Sequence, residues 1–169
     1  SATNGKNSDL NYRSLNLRTT LHLAAQGPNL EIVKNLINEK HMDINVKDIN
    51  GQTALHISAA HGRESIVKFL AEEVADVDVT CSYGSTPLHI ASLHGHVENV
   101  NTLINENADV NAKTIHKDTA LHMAAEGNHK AVVVMLINNG ADLNAINETN
   151  SSALMCAVKY DHKEIVDLL

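Results

Sequence analysis

The chain has 169 residues, 43% of them hydrophobic and 20% charged, with thirteen Lys and Arg against twenty Asp and Glu for a formal charge of −7. That charge repels phosphate backbones and anionic lipid heads, and no run approaches the ~20 apolar residues a bilayer span needs, so nucleic-acid binding and membrane insertion are not expected. Aromatic residues make up 2%, with no Trp and one Phe, so any core is built from Leu, Ile, Val and Ala.

In chain order, residues 1–9 are polar and lack the charged start and apolar middle of a signal peptide. Asp9-Leu10-Asn11 opens a landmark that returns as Asp43-Ile44-Asn45, Asp76-Val77-Asp78, Asp109-Val110-Asn111 and Asp142-Leu143-Asn144. Ten residues after each comes a second landmark. Thr19-Thr20-Leu21-His22 recurs as Thr53-Ala54-Leu55-His56, Thr86-Pro87-Leu88-His89, Thr119-Ala120-Leu121-His122 and, more weakly, Ser152-Ala153-Leu154-Met155, at spacings of 34, 33, 33 and 33 residues. Two landmarks in constant phase mark a repeat protein. The extra residue of the first unit is expected near Lys40-His41-Met42, between a second helix and the Asp43 turn.

Within each unit the Thr hydroxyl is placed to cap a short helix, and Pro87 sits at a first helical position that tolerates a missing N–H. Gly62 and Gly95 are expected to end that helix at positive φ, with Asn128 and Asp161 in the same role. Pro28 cannot adopt that conformation, so the first unit is expected to turn differently, through Gly27. Ile66, Val67 and Leu70, or Val100, Leu103 and Ile104, recur at helical spacing and predict a second helix with one buried stripe. Neither helix exceeds about ten residues, so each unit depends on its neighbours.

The Thr-Pro-Leu-His box, the later Gly-His before an Ile- and Val-rich helix, and Gly140-Ala141-Asp142-Leu143-Asn144 resemble the ankyrin repeat. The resemblance covers nearly the whole chain. It implies an all-α fold: a solenoid of stacked helix-turn-helix units with β-turn or hairpin fingers. Residues 1–169 then form a single domain, with 1–18 the tail of an upstream unit and the first finger, and helix starts near 19, 53, 86, 119 and 152. Neither end replaces its outward apolar positions with polar ones, which leads to the expectation of a segment from a longer array.

The resemblance also implies a dull role for most of the eleven histidines. His22, His56, His89 and His122 are expected to hydrogen-bond the backbone of adjacent fingers, and His96, His129 and His162 to be structural too. His94-Gly95-His96 is a weak metal candidate without a thiolate or carboxylate nearby. Cys81 and Cys156 are too few for a disulfide framework, and no phosphate-binding loop or repeated acid pair appears. No catalysis, metal or cofactor is expected. Asn147-Glu148-Thr149 and Asn150-Ser151-Ser152 fit N-glycosylation acceptors, and Asn111 resembles a position hydroxylated in some family members.

Partner binding is expected where the pattern varies. The family places finger tips and the exposed face of each first helix along a concave groove, which here selects Arg13, Leu15, Lys47, Ile49, Asn50, His61, Tyr83, Leu93, His94, Ile115, His116, Glu126 and Tyr160. Tyr83, flanked by His94 and His116, is the leading anchor. The expectation is a monomeric, non-catalytic protein-interaction scaffold, cytoplasmic in preference to secreted. The alternative is a receptor- or host-engaging segment of a secreted toxin or bacterial effector.

Overall fold

The computed structural model describes residues 17–74 and 76–169; Arg13, Leu15 and the Asp9-Leu10-Asn11 landmark lie outside the described residues. Among the described residues every regular element is helical. The helices pair as α1 (Thr20–Gln26) with α2 (Leu30–Lys34, continued by a π turn over Asn35–Glu39), α3 (Ala54–Ala60) with α4 (Glu64–Glu73), and α5 (Pro87–Leu93) with α6 (Val97–Asn105). Then follow α7 (Ala120–Glu126) with α8 (Lys130–Asn138), and α9 (Ala153–Lys159) with α10 (Lys163–Val166). Odd-numbered helices pack in one row and even-numbered helices in a second, each helix chiefly against its own partner and the adjacent units. The chain is thus an all-α solenoid whose core runs along its length.

That core is made of the predicted aliphatic residues. Leu21, Leu55, Leu88 and Leu121 fill the first-helix row, and Ile66, Leu70, Val100, Leu103, Val133 and Leu136 fill the second. Small residues at Ala25, Ala59, Ser92 and Ala125, all fully buried, let first helices of adjacent units approach closely.

Each internal junction is tied by the repeated histidine. In the second unit Nδ1 of His56 accepts the Thr53 N–H at 3.2 Å, so its hydrogen must sit on Nε2, which donates to the Ser85 carbonyl at 3.1 Å. His22, His89 and His122 reach the carbonyls of Gln52, Asp118 and Ser151 in the same way, at 2.9–3.0 Å. Those four carbonyls also close their own fingers by accepting the N–H groups of Asp48, Cys81, Thr114 and Asn147. One imidazole therefore joins the start of a helix to the neck of the next finger. A second link lies at the other end of the first helices. Arg63 Nε and the Nε2 atoms of His96, His129 and His162 donate to the carbonyls of Gln26, Ala60, Leu93 and Glu126 in the preceding unit.

The turns follow the sequence with two departures. Gly62, Gly95, Asn128 and Asp161 all have φ between 57° and 72°, while Gly27 is extended at φ −79°, so the first unit does turn differently beside Pro28. The extra residue of that unit is not a loop insertion at Lys40–Met42. It widens the helix itself: Lys40 N–H bonds to the Asn35 carbonyl, and left-handed His41 then releases the chain. A π turn absorbs one residue without breaking the helix, which keeps Leu36 buried. Elsewhere Asn107 and Gly140 occupy the left-handed exit; in the second unit Val74 stands there and stays extended at φ −83°, as its branched side chain requires.

Candidate partner-binding face

The face is built by the finger tips and the carboxyl ends of the odd-numbered helices. Each tip is shaped by the residue five before the helix cap. Asp48 Oδ1 accepts the N–H groups of Asn50 and Gln52 at 2.9 Å, Thr114 Oγ1 those of His116 and Asp118, and Asn147 Oδ1 those of Thr149 and Ser151. In the third finger that position is Cys81, which gives no such template; all four fingers turn through a left-handed residue at the same position, Gly51, Gly84, Lys117 and Asn150, with φ between 57° and 72°.

Successive tips are then joined by single backbone bonds. Ser82 N–H donates to Asn50, Ile115 N–H to Tyr83 and Glu148 N–H to His116, at 2.9–3.1 Å. This ladder fixes the spacing of the tip side chains.

Every described residue expected on the face is exposed: Lys47, Ile49, Asn50, His61, Tyr83, Leu93, His94, Ile115, His116, Glu126 and Tyr160. They divide into two groups. Several polar ones are already engaged. Lys47 Nζ donates to the Thr80 carbonyl at 2.7 Å, His116 Nδ1 meets Glu148 Oε1 at 2.6 Å, and the Tyr160 hydroxyl donates to Glu126 at 2.9 Å. His61 and His94 donate Nδ1–H to the carbonyls four residues earlier, Ile57 and Ile90, and Gln26 reaches His61 Nε2 at 3.2 Å.

The apolar group has no such ties. Ile49, Tyr83 and Ile115 are 57%, 62% and 59% exposed on consecutive fingers, and Leu93 is 40% exposed at the end of α5. The expected flanking of Tyr83 takes another form. His94 stacks on His96 with ring centroids 6.0 Å apart, and His116 turns to Glu148 on the next finger; neither bonds to Tyr83 or stacks on it.

The chemistry of His22, His56 and His89 is that of neutral hydrogen-bonding groups. Burial, the dominant cause, holds the pKa of His56 down to about 4 and pushes those of His22 and His89 down too. Among the described residues no three His, Cys, Asp or Glu side chains are grouped to hold a metal. His96 Nε2 is spent on the Ala60 carbonyl and His94 Nδ1 on Ile90. Burial also raises the Cys156 thiol, the direction that disfavours a nucleophilic thiolate.

The modification candidates separate. Asn147 gives its amide to Asp118 at 2.8 Å and its oxygen to the finger tip, so its side chain is structural, whereas Asn150 is exposed at a tip with φ 57°. Asn111 donates to the Gly140 carbonyl and accepts the Asp142 N–H, bridging two turns.

One feature escaped sequence reasoning: a groove of about 710 Å³ between α6 and α8, lined by Val97, Ala131, Val134 and Met135 among others. The available signal was α8, whose Lys130–Asn138 run is apolar on nearly every side instead of along one stripe. No described helix is long and apolar enough to cross a membrane.

A family model described as ankyrin repeats (3 copies) matches residues 21–114 and 113–169. No curated protein matches the chain.

Proposed function

The chain belongs to the ankyrin-repeat family, whose repeats are in general protein–protein interaction modules, and from that premise we propose that it binds a partner protein, without catalysis, through its finger tips and first-helix ends. The observation that carries this reading is the row of Ile49, Tyr83 and Ile115. Three large apolar side chains are held more than half exposed by a backbone ladder, while the neighbouring Lys47 and His116 side chains are engaged within the chain. Isolated exposed apolar residues are ordinary, but a fixed row of them on a rigid frame offers the desolvated anchors that dominate interface energies. Leu93 extends the row onto α5, and Asn50, whose side chain is unengaged, supplies adaptable hydrogen bonding beside it. With a net charge of −7, the chain suits a partner whose matching surface is apolar with a basic rim.

The test is affinity capture followed by mass spectrometry with the intact chain and with a Tyr83→Ser/Ile115→Ser variant. Proteins retained by the first and lost by the second, at unchanged helical content, support the reading. An unchanged set of captured proteins removes the row from the binding surface.

A further inference from the structure

The even-numbered helices serve as controls for one another, because the repeat places equivalent residues of each at the same outward positions. Ala131 of α8 stands where the other units have Glu31, Ser65, Glu98 and Glu164, and Val134 where they have Lys34, Lys68, Asn101 and Asp167. Every other unit thus keeps polar side chains on its solvent-facing stripe. In α8 both positions are apolar, and both residues are exposed. Val97 opens α6 beside them, where Glu64, Lys130 and Lys163 stand in other units, and half-buried Met135 adds a flexible, polarizable side chain. Together they line the groove of about 710 Å³ between α6 and α8. Each of these helices also packs against a described neighbour on its far side, α4 and α10, so the groove belongs to the interior of the stack.

What the groove offers constrains its occupant. The backbone groups of α6 and α8 are spent inside the helices, and no strand edge exists among the described residues. An extended segment would find no partners there for its own N–H and C=O groups, whereas a helix brings those bonds with it. The nine residues of α8 span about 13 Å, room for two turns of a helix with anchors three and four residues apart.

The rim sets the charge. Glu98 lies on α6, Glu106 at its end, and Asp109 and Asp142 in the turns that follow α6 and α8, while residues 97–112 and 131–158 contain no Lys, Arg or His. The cation that lines the groove, Lys130, is held by Glu164 Oε2 at 3.1 Å. We propose that the α6/α8 groove docks an amphipathic helix of a partner protein, apolar on one face and rich in Lys or Arg on its flanks. Charge argues against a second copy of the chain in the same place, since two such rims would set acid against acid. The groove uses no finger residue, so it is filled independently of the tip row.

The test is fluorescence anisotropy of a labelled synthetic peptide of about fourteen residues, leucine at helical spacing on one face and lysine on the other, titrated with the intact chain. Saturable binding is expected, with a gain of peptide helicity by circular dichroism. A twin peptide with glutamate in place of lysine is expected to bind roughly tenfold more weakly or worse. Val134→Asn gives α8 the residue that α6 carries at this exposed position and leaves the charge unchanged. It is expected to weaken binding roughly tenfold, with the helicity of the chain retained. Tyr83→Ser/Ile115→Ser is expected to bind the peptide as the wild type does, which separates this site from the tip row. Absence of saturable binding, an equally bound glutamate twin, undiminished binding by Val134→Asn, or loss of binding in the Tyr83→Ser/Ile115→Ser variant overturns the proposal.

Discussion

His56 joins two units at once: Nδ1 accepts the N–H of Thr53 at the start of α3, and Nε2, 3.1 Å from the Ser85 carbonyl, closes on the neck of the following finger. The bond that Nδ1 accepts requires the neutral ring, whereas Nε2 donates in either state. Burial, with Lys47 nearby as a smaller cause, holds the His56 pKa in the folded chain down to about 4. The unfolded chain, with an ordinary value near 6.5, binds the proton first as pH falls. Stability is therefore full above about pH 6.5 and is lost progressively towards pH 4, with a contribution from His56 on the order of 3 kcal/mol at the lower limit. His22 and His89 shift in the same direction and add to the loss. Urea unfolding at a series of pH values is expected to show falling midpoints across this window, and a flat profile would contradict the assignment.

Framework and face respond oppositely to truncation. Leu121 is 1% exposed, and Leu121→Ala is expected to cost roughly 2–5 kcal/mol. Tyr83, at 62% exposed, is expected to leave the melting temperature nearly unchanged on replacement by Ala while weakening partner capture. Thermal melts of the two variants side by side check the contrast. Equal losses would place Tyr83 in the framework.

Gly62 turns the chain at φ +66°, and a Cβ there would meet the His96 ring at 2.8 Å. Gly62→Ala is expected to destabilise by about 1–2 kcal/mol through the left-handed backbone alone, with more from displacing His96 from the Ala60 carbonyl. Asn128 occupies the equivalent turn at φ 60°. Asn128→Gly removes that strain and is expected to be neutral or stabilising by up to ~1 kcal/mol. Denaturant midpoints of the pair give the comparison.

How far the sequence can be read depends on whether a feature is set within one unit. The Thr and His of each box act three residues apart, so their spacing alone points to a helix start, and Gly62, Gly95, Asn128 and Asp161 identify themselves as left-handed turns. The π turn at Asn35–Glu39 was not legible, because a one-residue insertion reads the same whether a loop or a helix absorbs it. The face was legible as positions but not as chemistry. Exposure of Ile49, Tyr83 and Ile115 follows from the repeat phase, whereas the pairing of His116 with Glu148, and of Tyr160 with Glu126, joins residues 32 and 34 apart whose partners no local spacing picks out.

In the proposed function the side chains that stacking leaves unused are the ones that bind. Amide hydrogen exchange of the chain with and without a captured partner tests this most directly. Added protection is expected at the tips around Lys47–Asn50, Ser82–Gly84 and Ile115–Lys117 and at the end of α5, with little change in α4, α6 and α8. Protection concentrated instead along the α6/α8 groove, with the finger tips exchanging as before, would contradict it.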